Sequence, residues 1–151
     1  MLAPWDERVR PEWIDYNGHL SEAYYVLIMG HATDAAMLQL GMTPEYLRRT
    51  GTSLFSLQAH VRYLDQIGPG ADTQVRTSVA DVGAKIVTFW HELFAEGRLR
   101  ATEEVLMLHV DTVAARGVPF PEDLADRLRG LQVDVPQASG CVRSTGRGPG
   151  S

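Results

Sequence analysis

The chain has 151 residues, 44% hydrophobic and 22% charged, which suits one folded domain. A formal net charge of −5 leaves no basic surplus for a nucleic-acid backbone, and no apolar run approaches the ~20 residues of a membrane span. The single cysteine, Cys141, excludes an internal disulfide framework and most cysteine metal centres; with no apolar signal-peptide core in MLAPWDERVRP, a reducing, cytoplasmic setting is expected.

In chain order, Val9 and the Glu12–Ile14 segment suggest a short first strand leading into a polar loop, Asp15-Tyr16-Asn17-Gly18-His19. Residues 21–40 then read as a helix. Ser21 suits the N-cap, Glu22 complements the positive end of the dipole, and Leu20 can staple onto Tyr25. Gly41 supplies the stop. Tyr24, Leu27, Ile28, Ala35 and Leu38 form one apolar stripe, and Tyr25, Met29, Ala32, Ala36 and Leu40 a second. Only Gly30, Thr33 and Asp34 form a clear small-or-polar strip, so an enclosed helix is expected.

Pro44 opens a short helical turn over 44–50. Strand patterns follow at 52–64, 73–82, 84–97 and 99–114, divided by IGPGAD, Gly83 and EGR, which are tight-turn sequences. Pro121 begins a short amphipathic helix over 121–131. The stretch from Pro136 lacks apolar content, so the expected organisation is one domain over 1–135 and a disordered tail over 136–151. Only one sheet is available to cover the long helix, which predicts an α+β layout with that helix against an antiparallel sheet.

This order of polar loop, helix and antiparallel meander resembles the hotdog fold of acyl-CoA thioesterases. Asp15-Tyr16-Asn17-Gly18-His19 matches the D-x-x-G segment of 4-hydroxybenzoyl-CoA-type thioesterases and the D-x-N-x-H segment of acyl-carrier-protein thioesterases. WIDYNGHLSEAYY, ATDAAML, GTSLFSLQAHVRYL and ATEEVLMLHVD are similar to the betainyl-CoA thioesterases of carnitine catabolism, a likeness that covers residues 8–130.

The resemblance implies a thioester hydrolase with Asp15 as nucleophile or as base for water, and Asn17 and His19 as its helpers. The amides at the start of the helix are natural donors for the developing oxyanion. Each side chain has a plainer alternative: a turn hydrogen bond for Asp15, left-handed turn geometry for Asn17, a backbone contact for His19. Gly18 serves the backbone and close substrate approach. A betainyl group carries a trimethylammonium, which aromatic faces attract. Trp13 and Tyr16 lead that set, with Tyr24 and Tyr25 beside them and Phe89 and Trp90 further off; ordinary packing is the alternative for each.

His31 on the helix is expected in the core. His60, His91 and His109 lie on strands, and with Asp34, Glu103 and Asp111 they show no metal-ligand spacing, so neither metal nor cofactor is expected. Arg62, Arg76, Lys85, Arg98 and Arg100 are available to CoA phosphates without any one standing out. A hotdog dehydratase or hydratase and a non-catalytic acyl-CoA-binding module are the competing classes. By analogy with hotdog proteins a homodimer is expected, with acyl-CoA as the partner molecule and no membrane or nucleic acid.

Overall fold

The computed structural model describes residues 1–136, so the tail expected beyond Pro136, with Cys141, lies outside the described residues. The elements are β1 (Trp5–Arg8), a 3₁₀ turn (Pro11–Trp13), α1 (Glu22–Gln39), α2 (Pro44–Thr50), β2 (Thr52–Tyr63), β3 (Asp72–Val82), β4 (Ile86–Ala95), β5 (Arg98–Asp111), β6 (Arg116–Gly117) and α3 (Glu122–Leu131). The strands form one antiparallel sheet in the order β1-β3-β4-β5-β2, with the short β6 beside the end of β5. This is the α+β hotdog layout expected from the order of elements.

The first strand lies earlier than expected. Trp5–Arg8 pairs with Val75–Asp72 of β3, and the segment around Glu12 becomes the 3₁₀ turn instead. Pro11 explains the shift: it cannot donate to a ladder, and its fixed φ suits the first position of a helical turn. The four long strands match their patterns within a few residues. Glu96 and Gly97 join β4 to β5 with φ of 54° and 73°, the two left-handed residues of a tight hairpin turn.

α1 lies across β1, β3, β4 and β5. Its first half packs Tyr25, Ile28 and Met29 into a cluster with Trp13, Val75 and Leu93. Leu20 joins the same cluster, as the expected staple requires. Beyond its far end, Leu40 and Met42 meet Phe89, Met107 and the α3 residues Leu124 and Leu128. Burying each large apolar side chain is worth about 1.5–3 kcal/mol, so these two clusters fix the helix on the sheet.

Two expectations fail here. α1 is not enclosed, since Val26 is 40% exposed and Leu27 and Leu38 are also open. A single sheet can cover only one side of a helix, and the stripes are wider than that side. His31 is not in the core. It reaches across the surface to Glu7, with Nδ1 2.8 Å from Oε2, because its position on α1 faces β1.

Candidate active site

The polar loop is a tight hairpin. Ile14 and Leu20 form an antiparallel bridge, the Asp15 N–H donates to the His19 carbonyl at 2.9 Å, and the Gly18 N–H donates to the Asp15 carbonyl at 3.0 Å. Gly18 takes φ +80°. A turn closed from Asp15 to Gly18 followed by a left-handed glycine is the three-residue hairpin loop with a glycine bulge. The left-handed position thus belongs to Gly18 and not to Asn17. Asp15 Oδ1 accepts the Asn17 N–H at 2.8 Å, an Asx turn that orients the carboxylate.

This hairpin is tied to the start of α1. The Ser21 N–H donates to the Trp13 carbonyl at 3.0 Å, and the Leu20 N–H to the Ile67 carbonyl at 2.8 Å. Ser21 has extended N-cap geometry, yet its hydroxyl makes no capping bond. The Tyr24 N–H bonds back to the Ser21 carbonyl at 3.0 Å, and the Glu22 and Ala23 amides have no protein partner among the described residues. Open amides at a helix N-terminus attract a developing negative charge. His19 lies half-buried on the same hairpin, and its Nδ1 is shut off from solvent without a hydrogen bond among the described residues.

The aromatic residues separate into different environments. Tyr16 is 97% exposed at the tip of the turn. Trp13 is buried and stacks on Tyr24, with ring centroids 5.3 Å apart and planes 13° from parallel. The Arg10 guanidinium, which the sequence had not singled out, lies over Trp13 at 5.3 Å. Tyr25 points into the core: its hydroxyl donates to the Asp65 carbonyl at 3.0 Å, and its ring meets Tyr63 edge-on at 5.2 Å. Burial raises the Tyr25 hydroxyl above its ordinary pKa. Phe89 and Trp90 are buried in the sheet. The structure therefore brings Asp15, Asn17, Gly18 and His19 together, sets Trp13 and Tyr24 alongside as a stacked pair, and keeps Tyr25 inside.

A second polar cluster lies under α1. His91 is fully buried, with Nε2 2.7 Å from Thr33 Oγ1 and Nδ1 2.8 Å from Thr77 Oγ1. Burial pushes its imidazole down to about 3, so it is neutral. Glu103, opposite His91 in the sheet, is also buried, and burial pushes its carboxyl up to about 7. In the sequence Glu103 stands out only beside the strand histidines, as a candidate metal ligand. Its signal was the acidic pair Glu103-Glu104 directly before the apolar run Val105-Leu106-Met107-Leu108 within one strand.

The remaining candidates take structural places. His109 holds the Val118 carbonyl through Nδ1 at 3.0 Å and the Tyr46 hydroxyl through Nε2 at 3.2 Å. Among the described residues no three His, Cys, Asp or Glu side chains converge as metal ligands. Arg98 pairs with Asp65 at 3.0 Å, Arg76 covers the Phe94 ring at 4.4 Å, and buried Arg100 binds the carbonyls of Ala95 and Gln66. No described helix is long and apolar enough to cross a membrane.

Known proteins resemble this chain in sequence and in fold. The chain is 34% identical over 149 residues to a Pseudomonas aeruginosa protein named betainyl-CoA thioesterase, covering 94% of each. It is 36% identical over 120 residues to an Agrobacterium fabrum L-carnitine dehydrogenase/betainyl-CoA thioesterase, covering 79% of this chain but only 25% of that one. Among solved structures, a candidate thioesterase from Pseudomonas putida KT2440 superposes with a TM-score of 0.77 at 31% identity, over 93% of this chain and 94% of the other. A Staphylococcus aureus protein solved in complex with CoA shares the fold, with a TM-score of 0.82 at 23% identity over 93% of both chains. The family model of the thioesterase-like superfamily matches residues 9–128, and the chain belongs to that superfamily.

Proposed function

We propose that the protein hydrolyses acyl-CoA thioesters and that betainyl-CoA, cleaved to betaine and CoA, is its substrate. The carrying observation is the Asp15–His19 hairpin tied against the uncapped start of α1, in a chain that is 34% identical to a betainyl-CoA thioesterase over 94% of its length. In this reading the thioester carbonyl oxygen lies at the Glu22 and Ala23 amides, and the Asp15 carboxylate faces the carbonyl carbon. Asp15 either attacks that carbon and breaks its C–S bond, releasing the CoA thiolate and forming an anhydride that water then opens, or takes a proton from water that attacks the carbon and displaces the same thiolate. Asn17 and His19 orient the water or the carboxylate, and Gly18 keeps the turn narrow. Tyr16 offers an open aromatic face at the mouth of the site, to which a cationic acyl group is drawn on entry, while the stacked Trp13–Tyr24 pair forms a wall.

The working unit in this reading is a cytoplasmic homodimer of one catalytic domain, residues 1–135. β2 supports this: its 12 residues pair only with β5 among the described strands, and Phe55 and Leu57 are more than half exposed along it. A long edge strand of this kind needs a cover, and a second copy of β2 would extend the ladder. Sedimentation at micromolar concentration tests the dimer, and a monomer refutes it.

The deciding experiment is thiol release from a panel of acyl-CoAs by wild type and Asp15→Asn. Release that depends on Asp15 and is fastest for betainyl-CoA supports the reading. Formation of enoyl product would show a dehydratase, and binding without turnover would show a non-catalytic module.

A further inference from the structure

We infer that the Glu103 carboxylate is the counter-charge that selects a cationic acyl group, set beneath the open flank of α1 beside β2. The inference rests on the proposed hydrolysis of a trimethylammonium acyl-CoA.

Glu103 is 4% exposed, and among the described residues no Lys or Arg nitrogen lies within 4 Å of its carboxylate. Its nearest basic neighbour is His91, with Nε2 4.0 Å from Oε1. His91 cannot serve as the cation. It is neutral, and both of its ring nitrogens are already engaged by Thr33 and Thr77. A buried carboxylate without a positive partner is unfavourable in the folded state. A cation brought by the substrate supplies what the described residues lack.

The ground above Glu103 is open enough to admit one. Glu22, Val26 and Gly30 succeed one another at four-residue spacing along one flank of α1, and Thr33 lies next to them. Val26 is exposed, and a Cβ placed on Gly30 would meet nothing within 4 Å. Across from this flank, β2 sets Val61 opposite Glu103 and Tyr63 opposite Ala101. The Tyr63 hydroxyl donates to the Glu22 carbonyl at 3.3 Å. After burial, the charges of Glu22 and Glu103 together raise Tyr63 further above its ordinary pKa, which places Glu103 within electrostatic reach of the start of α1. A trimethylammonium has no N–H to donate, so it answers to charge and to ring faces, and a carboxylate in a site of low polarity acts on it without direct contact.

The test compares kcat/KM for betainyl-CoA with that for 3,3-dimethylbutyryl-CoA, its neutral isostere, in wild type, Glu103→Gln and Glu103→Asp. Glu103→Gln should lower the betainyl value about 10- to 100-fold more than the isostere value, and Glu103→Asp should restore part of the preference. Equal losses on both substrates, or a preference that survives Glu103→Gln, overturn the inference and leave the proposed function standing. A wild type that does not prefer betainyl-CoA overturns both. Wild type alone gives a further reading that needs no variant. The ratio of the two kcat/KM values should rise between about pH 6 and 8 as Glu103 ionises, because a group common to both reactions cancels. The titratable groups nearest Glu103 are His91 on β4 and Tyr63 on β2, with Tyr25 and Glu22 on the α1 flank above; burial holds His91 down at about 3 and lifts both tyrosines above their ordinary value, away from that window. A flat ratio overturns the inference.

Discussion

The two ends of α1 are finished in opposite ways. At the C-terminus every loose group is held. Gly41 takes φ +86°, the Met42 N–H returns to the Met37 carbonyl at 2.9 Å, and the Gly41 N–H to that of Leu38 at 3.1 Å. Arg127 of α3 then donates to the Leu40 and Gln39 carbonyls at 3.0 and 2.8 Å, setting a positive charge on the negative end of the dipole. At the N-terminus Ser21 has the geometry of a cap and does not cap. A capping bond there would contribute about 1 kcal/mol to stability, and it would occupy a donor that the proposed site offers to the thioester oxygen. The closed end serves the fold, and the open end is the one the proposed hydrolysis uses.

Four substitutions test that division, the largest effect first. Asp15→Asn at the open end should lower kcat by at least about 10²-fold in the thiol-release assay while thermal melting stays nearly unchanged, because the amide oxygen still accepts the Asn17 N–H. An equal fall in stability would make Asp15 structural. Glu103→Gln concerns the polar cluster beneath the helix. The folded carboxyl is raised from 4.5 to about 7, so the folded state binds its proton more tightly than the unfolded state. Stability from this group is therefore fully present below the unfolded value and declines as pH rises from about 4.5 through about 7. Denaturant titrations should show wild type losing on the order of 3 kcal/mol across that window and the Gln variant losing less, with the Gln variant the more stable at pH 8.

Thr33→Val leaves the His91 Nε2 without its 2.7 Å partner and should cost about 1–3 kcal/mol at neutral pH by the same titration. Arg127→Ala opens the closed end. It should cost about 1 kcal/mol and leave kcat/KM within a factor of two, since α3 lies at the far end of the helix from Asp15. A loss of activity without a loss of stability would show that the two ends are not separate.

The hairpin was legible because its residue types are local: Asn-Gly signals a tight turn, and an Asp two residues before an amide makes an Asx turn wherever it stands. Even so, the left-handed turn geometry that Asn-Gly offered as the plainer alternative for Asn17 falls on Gly18, where the closing bond from the Gly18 N–H to Asp15 puts it. Trp13 illustrates the opposite limit. Its position beside Asp15 in the chain suggested an open aromatic face, but its neighbours Tyr24 and Arg10 are set by the path of the chain around the 3₁₀ turn. His31 was misread because a helix wheel shows which residues share a face and not which strand that face meets.

What the amino-acid order determined by itself was everything with a short period. That includes the helix with its staple and stop, the four long strands, and the polar loop placed directly before the helix. These follow from bonds and contacts between residues a few places apart. Only the tertiary structure decided that, among the described residues, one flank of α1 stays uncovered and β2 ends the sheet, and that Glu103 comes to lie under the helix beside a histidine already engaged on both sides. Those outcomes depend on strand order and register, which bring together residues such as Thr33, His91 and Glu103 from distant parts of the chain. No local preference encodes that meeting.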